Sequence, residues 1–362
     1  MLNYIEIYEV ENLEFYLLQF ALFLVYSTLF LFILKNRPIY YVISILHLSL
    51  LLGLRSYTVG TDTAQYVSFY NNQINFNGNG SAIYIFLEKI IWRLFGPNYH
   101  VFLFILSTIT IILIVLAFSN FSRRYEFIFL NIYIFISYYF YFESFNAQRQ
   151  FLAISVTMIA LVLLNKNRWL LSLLLIVLAT GIHSTAIIML AAYPIKYIKK
   201  TKLNFFLVCI ISAIFGLSSN QLTVFFSHLF SHYNMYTNAI GLSSRGGSFF
   251  LGLFIFFMLI LGVYFSDILK DQEGSFLVFL TAIGSILYMV GMQSQLIIRV
   301  ADYFLIYATI SIPIVIYKVS KKFIQSKIVY LFLSATVMIA GIVILIYKLS
   351  GNLGEIIPYT LH

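Results

Sequence analysis

The sequence predicts an all-α fold. It reads as a polytopic integral membrane helical bundle of about 12 (10–14) transmembrane helices, with two longer outward loops carrying interfacial helices. Three observations predict it. First, 61% of the 362 residues are hydrophobic and only 10% charged, against about 25% charged in soluble domains. Second, apolar runs of membrane-spanning length recur along the whole chain. Third, the net charge of +9 comes from basic clusters between those runs, which argues against a nucleic-acid partner and for the lipid bilayer.

The runs fall at about 13–34, 39–54, 99–118, 126–142, 150–164, 169–182, 184–198, 203–219, 248–266, 275–292, 299–317 and 328–348. The sixth and seventh are short and meet at Gly181-Ile182-His183-Ser184, and Pro194 is placed to kink the seventh. Alternation puts 15 of the 22 lysines and arginines on one side, so that side is cytoplasmic by the positive-inside rule. Both termini then face outward, in keeping with Glu6, Glu9, Glu11 and Glu14. An acidic start lacks the basic region of a cleavable signal, so the first long helix is expected to be retained. The single cysteine, Cys209, excludes a disulfide within the chain. Aromatics reach 19%, which fits either compositional bias or a functional aromatic lining.

Residues 1–362 read as one polytopic membrane domain, with outward loops at 55–98 and 220–247. The first loop contains an Asn/Gly-rich stretch over 71–80. Apolar residues at helical spacing follow over 83–95, with Glu88, Lys89 and Arg93 among them, as in a helix lying at the interface.

Seven basic residues break the inside rule: Arg55, Lys89, Arg93, Arg149, Arg245, Arg299 and Lys348. Five are arginine, whose planar fork grips phosphate by paired hydrogen bonds. Arg55, Arg149 and Arg299 sit near helix ends, where a charge usually lines a polar cavity. Arg149 closes the polar run Glu143-Ser144-Phe145-Asn146-Ala147-Gln148. Arg55 precedes Thr58-Val59-Gly60-Thr61-Asp62-Thr63 and Tyr66, where Asp62 also suits a helix cap. Arg299 follows Gln293-Ser294-Gln295 and precedes Asp302 by three residues, close enough to be neutralised by it. Together these arginines suggest an outward anionic site. His183, at a helix break, has the intrinsic pKa of a general base; Glu143 and Asp62 are the other candidates. His228 and His232 stand at i, i+4, but two ligands without a carboxylate make a weak zinc signal. No metal or cofactor is expected.

The ordered motifs resemble the EpsG-like, Wzy-type polysaccharide polymerases of O antigen, capsule or exopolysaccharide. Arg55 with Val59-Gly60-Thr61-Asp62-Thr63 and Tyr66 to Phe69 is similar to their opening element, and Glu88 with Phe95-Gly96 continues it. Asn146-Ala147-Gln148-Arg149-Gln150-Phe151-Leu152-Ala153 resembles an N-x-x-R-Q-x-L-A element. His183-Ser184-Thr185-Ala186 resembles H-x-S-A, though the hydroxyl order departs from the common one. Arg299 to Tyr303-Phe304 and Pro358-Tyr359 complete the series. The resemblance implies a glycosyltransferase of the bacterial cytoplasmic membrane acting on an undecaprenyl-pyrophosphate-linked oligosaccharide. The glycan would pass to the non-reducing end of another lipid-linked repeat unit on the outer face. A chain-length regulator is left open as a partner. In this reading Arg149, Arg299, Arg55 and Arg245 hold pyrophosphate, and Asn146, Gln148, Tyr66 and Tyr303 contact glycan. A flippase of the same lipid-linked unit and an O-antigen-ligase-like transferase are the alternatives.

Overall fold

The computed structural model describes residues 2–72, 81–122, 124–218, 246–291 and 294–361. Arg245, His228, His232, Gln293 and nearly all of the second outward loop lie outside the described residues. Every described element is helical. In chain order they are α1 (Leu2–Ser27, continued by a π-type stretch Thr28–Ile33), α2 (Arg37–Gly53), α3 (Thr63–Asn72), α4 (Ala82–Phe95), α5 (Tyr99–Phe121), α6 (Tyr125–Ser137), α7 (Phe140–Asn146), α8 (Gln148–Asn165) and α9 (Trp169–Ile182). A 3-10 helix (Ser184–Ala191) leads into α10 (Ala192–Tyr197), followed by α11 (Lys202–Leu217) and α12 (Gly246–Phe265). The last four are α13 (Gln272–Val290), α14 (Gln295–Leu305), α15 (Ala308–Ser320) and α16 (Ser326–Ser350).

Among the described residues, six helical segments are long and apolar enough to cross a bilayer: 13–33, 99–121, 148–165, 248–265, 272–290 and 326–350. Two bent pairs, 125–146 and 296–320, each pass as one span, and α2, α9 and α11 are shorter apolar helices. These elements match eleven of the twelve apolar runs. The exception is 184–198, where β-branched Thr185, Ile187 and Ile188 lower the α-helical preference and the chain tightens into the 3-10 helix. At about 2.0 Å per 3-10 residue and about 1.5 Å per α residue, 184–197 still reaches about 25 Å. Lys196 Nζ donates to Asn167 Oδ1 at 2.8 Å and to the Leu164 carbonyl. The chain that leaves at Arg168 is therefore back at its starting point by Lys196.

Hydrocarbon offers no water to an unpaired N–H, so helix ends need partners from the protein. Asn36, Asn98, Thr201, Asp271 and Ser294 each accept a backbone N–H in the first turn of α2, α5, α11, α13 and α14. Exposed apolar side chains mark the opposite condition. On α16, Ile328, Leu331, Phe332, Ile339 and Val343 are bare, a surface that only lipid satisfies.

The chain forms two compact units, residues 1–163, 168–184 and 342–362, and residues 164–167 and 185–341. In the first, the aromatic wealth of the sequence becomes core. Tyr138 to Phe142 and Phe145 are all buried, and neighbouring rings among Tyr139, Tyr141, Phe142 and Phe145 lie 5.2–5.9 Å apart. Tyr141 hydroxyl is satisfied by the Leu48 carbonyl at 2.8 Å. Tyr139 adopts a left-handed backbone (φ 78°) where α6 and α7 bend by 46°. At the other end of α6, Tyr125 hydroxyl donates to the Lys35 carbonyl at 3.0 Å, and Arg37 lies 4.0 Å from the Tyr125 ring.

In the second unit α13 is the central post, packed against α10, α11, α12, α14 and α15 and buried nearly all round. One end of this unit is ionic. Asp267 binds Lys270 at 3.0 Å and also Lys322, Asp271 binds Lys318 at 3.0 Å, and Asn165 donates to Glu273 at 2.5 Å. The loops that the charge pattern had placed on one side are thus joined by side-chain bonds within each unit.

Close helix approach in the second unit depends on Gly284. A Cβ there would lie 2.4 Å from the Leu305 backbone nitrogen and 2.8 Å from the Phe304 carbonyl carbon, which cannot swing aside. Gly284→Ala should therefore cost about 1–3 kcal/mol through overpacking. The melting temperature of purified protein in detergent should fall, whereas Gly351→Ala, with its nearest neighbour at 3.4 Å, should leave it unchanged.

Candidate functional site

In the first unit, the ends of α2, α7 and α9, the starts of α3, α4 and α8, and residues 351–361 gather together. Arg55 is fully buried there. Its guanidinium donates to the Phe145 carbonyl at 3.0 Å, to Thr63 Oγ1 at 3.5 Å and to the Leu52 carbonyl, with the Phe145 ring 5.2 Å away. Burial pushes its pKa down to about 10, with nearby tyrosines pulling the other way. It remains a cation, and it spends that charge on helix-end carbonyls.

Asn146 forms the next connection. Its Oδ1 accepts the Thr61 N–H at 2.7 Å. A Cβ on Gly60 (φ 97°) would fall 2.7 Å from that oxygen, and one on Gly354 (φ 91°) would fall 2.2 Å from the Asn146 amide nitrogen. Glycine is required at both positions by conformation and by space. Residues 354–360 lie along the same loop. Ser56 N–H donates to the Thr360 carbonyl at 2.7 Å, Gly60 N–H to Glu355 at 2.9 Å and Thr61 N–H to Gly354 at 3.2 Å. Tyr139 hydroxyl donates to the Leu353 carbonyl at 2.6 Å, Tyr16 to Ile356 at 2.7 Å and Tyr359 to Leu51 at 2.9 Å. Lys348, buried at the root of this strap, binds Glu143 at 3.0 Å and lies 4.8 Å from the Tyr139 ring.

Arg149 is placed differently. It is half-buried on the first turn of α8, with Nη1 donating to Ser81 Oγ at 3.0 Å and the Tyr84 and Tyr66 rings at 5.6 and 5.9 Å. Ser81, Tyr84 and Glu88 follow one face of α4. Glu88 is 5% exposed, and its Oε1 has no hydrogen-bond partner among the described residues. Burial pushes its carboxyl up to about 8, against the pull of the Arg149 charge. Gln148 is 2% exposed, with both amide atoms unpartnered in the same sense.

Of the residues singled out from sequence, this end of the first unit holds Arg55, Asp62, Tyr66, Glu143, Asn146, Gln148, Arg149 and His183. Asp62 is half-buried and lies beside Thr61, whose hydroxyl donates to it at 3.4 Å. His183 ends α9 in extended backbone, and Gly181, two residues earlier, is pressed against Ile83 at the start of α4. Arg299 and Tyr303 belong to the second unit. There Arg299 is half-buried on α14, and Tyr303 is fully buried with its hydroxyl 3.4 Å from Thr185 Oγ1. Among the described residues, no cluster of three or more His, Cys, Asp or Glu side chains could hold a metal.

The sequence reading missed Ser81 and Tyr84, named Lys348 only as an outward charge, and placed Glu88 on an interfacial helix without a role in the chemistry. A signal for Glu88 existed: positions 84, 88 and 91 form one i, i+4, i+7 stripe, and all three are buried while Lys89 and Arg93 are exposed.

A protein-family model described as the EpsG family matches residues 38–361. The chain belongs to the EpsG family. Its place is thus among membrane proteins of polysaccharide biosynthesis. Neither a curated protein nor a solved structure matches it. The EpsG-family match takes in both the Gly60-Thr61 loop and the strap that binds it.

The ion pair at the strap's root gives a direct test. Removing one partner of a buried pair costs about 3–5 kcal/mol, and the partial exposure of Glu143 lowers that to about 2–3 kcal/mol here. Glu143→Lys should lower the melting temperature and expose 351–361 to protease, and Glu143→Lys with Lys348→Glu should recover most of the loss.

Proposed function

We propose that this EpsG-family protein is a polysaccharide polymerase, a membrane glycosyltransferase acting on undecaprenyl-pyrophosphate-linked glycan. The glycan moves to the non-reducing end of a second lipid-linked repeat unit. By the positive-inside rule the lysine-bearing ends are cytoplasmic, so Arg149 and its neighbours face the outer surface of the cytoplasmic membrane. The observation that carries the reading is Arg149 itself, a half-buried guanidinium held by Ser81 and two tyrosine rings.

The chemistry follows from the leaving group. As the bond from anomeric carbon to pyrophosphate breaks, negative charge grows on phosphate oxygens. A cation already fixed in place stabilises that charge without reorganising. Arg149 is built for this, and Arg299, in the second unit, is the other arginine proposed for a role. Arg55 serves instead to hold the loop and helix ends around Arg149, since its guanidinium is engaged by three protein oxygens. Tyr66, Asn146 and Gln148 offer ring faces and amides of the kind that bind sugar. The acceptor hydroxyl must also lose a proton. His183, Asp62 and Glu88 are the titratable candidates at this end, Glu143 being held by Lys348.

The test is polymerisation of a lipid-linked repeat unit by full-length protein reconstituted in lipid. Arg149→Ala should lose about 10²–10³-fold in kcat, and Arg299→Ala should fall in the same direction. Partial recovery in Arg149→Lys would show that point charge suffices. Full activity in both alanine variants would sink the pyrophosphate assignment. In a deletion strain, single-repeat glycan should accumulate. Loss of all outward glycan would instead favour a flippase, and long unattached polymer a ligase.

A further inference from the structure

The polymerase reading leaves open which group takes the acceptor proton, and the inference here rests on that reading. We propose that Glu88 is the general base, acting on the acceptor sugar hydroxyl beside the pyrophosphate bound at Arg149. Glu88 was not among the base candidates that the sequence suggested.

Three geometric facts point to it. Glu88 shares one face of α4 with Ser81, which bonds Arg149, and with Tyr84, whose ring lies 5.6 Å from the guanidinium carbon. It is nearly fully buried, and burial outweighs the pull of the Arg149 charge on its carboxyl. Its Oε1 is unpartnered among the described residues, and leaving a buried acceptor unmade costs about 1–3 kcal/mol or more. A substrate hydroxyl that donates to this oxygen would satisfy it. Gln148, adjacent to Arg149 in sequence, offers a second buried and unpartnered group, an amide suited to a polyhydroxylated ligand.

Two of the other candidates are placed less well for the step. Glu143 is committed to Lys348. Asp62 receives the Thr61 hydroxyl in a half-buried loop whose backbone is tied to the strap.

The step balances as follows. The Glu88 carboxylate removes the proton from the acceptor hydroxyl as that oxygen bonds to the anomeric carbon of the donor glycan. The bond from that carbon to the pyrophosphate oxygen breaks, and its electron pair leaves with undecaprenyl pyrophosphate, which Arg149 stabilises. The proton rests on Glu88 and then passes to water.

The groups facing Glu88 are Tyr70 from α3, Tyr84 from α4 itself and Arg149 from α8. Helix α9, packed on α4, has no titratable side chain over 169–182, and those of α5, Tyr99 and His100, are confined to its first turn. Tyr70 and Tyr84 are both pushed up by burial, Tyr70 to about 12. Glu88, at about 8, titrates here near neutrality, and His183, which follows α9, is the group that the pH profile must separate from it. A base works when deprotonated, so activity should rise with pH through about 8 and level off above it. A histidine base would place that rise near about 6.5.

The experiment uses full-length protein in lipid vesicles with a synthetic undecaprenyl-pyrophosphate-linked repeat unit, assayed from pH 6 to pH 9.5. Glu88→Gln should lower kcat by about 10²–10³-fold, keep KM for the donor within about threefold, and abolish the rise near pH 8. Glu88→Asp should keep a carboxylate-dependent rise with reduced kcat. Glu88→Gln activity within about threefold of wild type, or an unchanged pH profile in that variant, would overturn the assignment while leaving an active polymerase. If Glu88→Gln fails to fold, the wild-type and Glu88→Asp profiles decide, and a wild-type rise near pH 6.5 instead of pH 8 overturns it. Wild-type protein that forms no glycosidic bond overturns the polymerase reading, and this assignment with it.

Discussion

A chain in hydrocarbon cannot leave the end of a helix to water, and at one end of the first unit several helices stop together. The interaction that makes this tolerable is the buried Arg55 guanidinium. It takes up the Leu52 carbonyl at the end of α2 and the Phe145 carbonyl near the end of α7, with the Thr63 hydroxyl between them. An arginine suits the task because its planar fork donates in several fixed directions and stays charged even when burial lowers its pKa. Asn146 extends the same logic to the Gly60-Thr61 loop, and the strap at 354–360 satisfies the N–H groups that remain. Once these groups are fixed, the first turn of α8 is fixed as well, and with it Arg149.

Two arginines that look alike in sequence therefore do different work. Each lies near the end of an apolar helix beside polar residues. What separates them is exposure: Arg55 is sealed among backbone carbonyls, whereas Arg149 is half-buried, with aromatic faces and the Ser81 hydroxyl among its contacts. The division follows from cost. Exchanging three protein acceptors for a phosphate would unmake the junction, so Arg55 is a holding residue. Arg149, partly open, is the arginine to which the proposal gives the anion.

The spans were legible because apolar runs of bilayer length need no tertiary information. The polar patch at 143–149 was legible too, since polarity between two apolar helices is costly unless used. Other features could not be read locally. The 3-10 helix at 184–191 looks like any short apolar run until Lys196 is seen to return to Asn167. Glu143 looked like a candidate base, and its partner Lys348 stands 205 residues away. Glu88 sits next to Lys89 on a helix that also carries Arg93, so the three charges together read as those of a helix lying at the interface. Only the burial of Tyr84, Glu88 and Ile91 on one stripe separates the carboxyl from its neighbours.

The strap makes the site the most non-local part of the chain. Tyr16 reaches Ile356 across 340 residues, and Tyr359 reaches Leu51 across 308. Contacts of that separation close late, because loop-closure entropy must be met before they contribute. The Gly60-Thr61 loop is synthesised early, yet the Ser56 and Gly60 N–H groups find their partners, Thr360 and Glu355, only after α16 is made. Until then those N–H groups lack their native partners, which favours a loosely held loop over a fixed one. Closing the strap resolves that conflict and sets the geometry around α8 in the same event. Formation of the junction that holds the first turn of α8 is thus tied to the synthesis of α16.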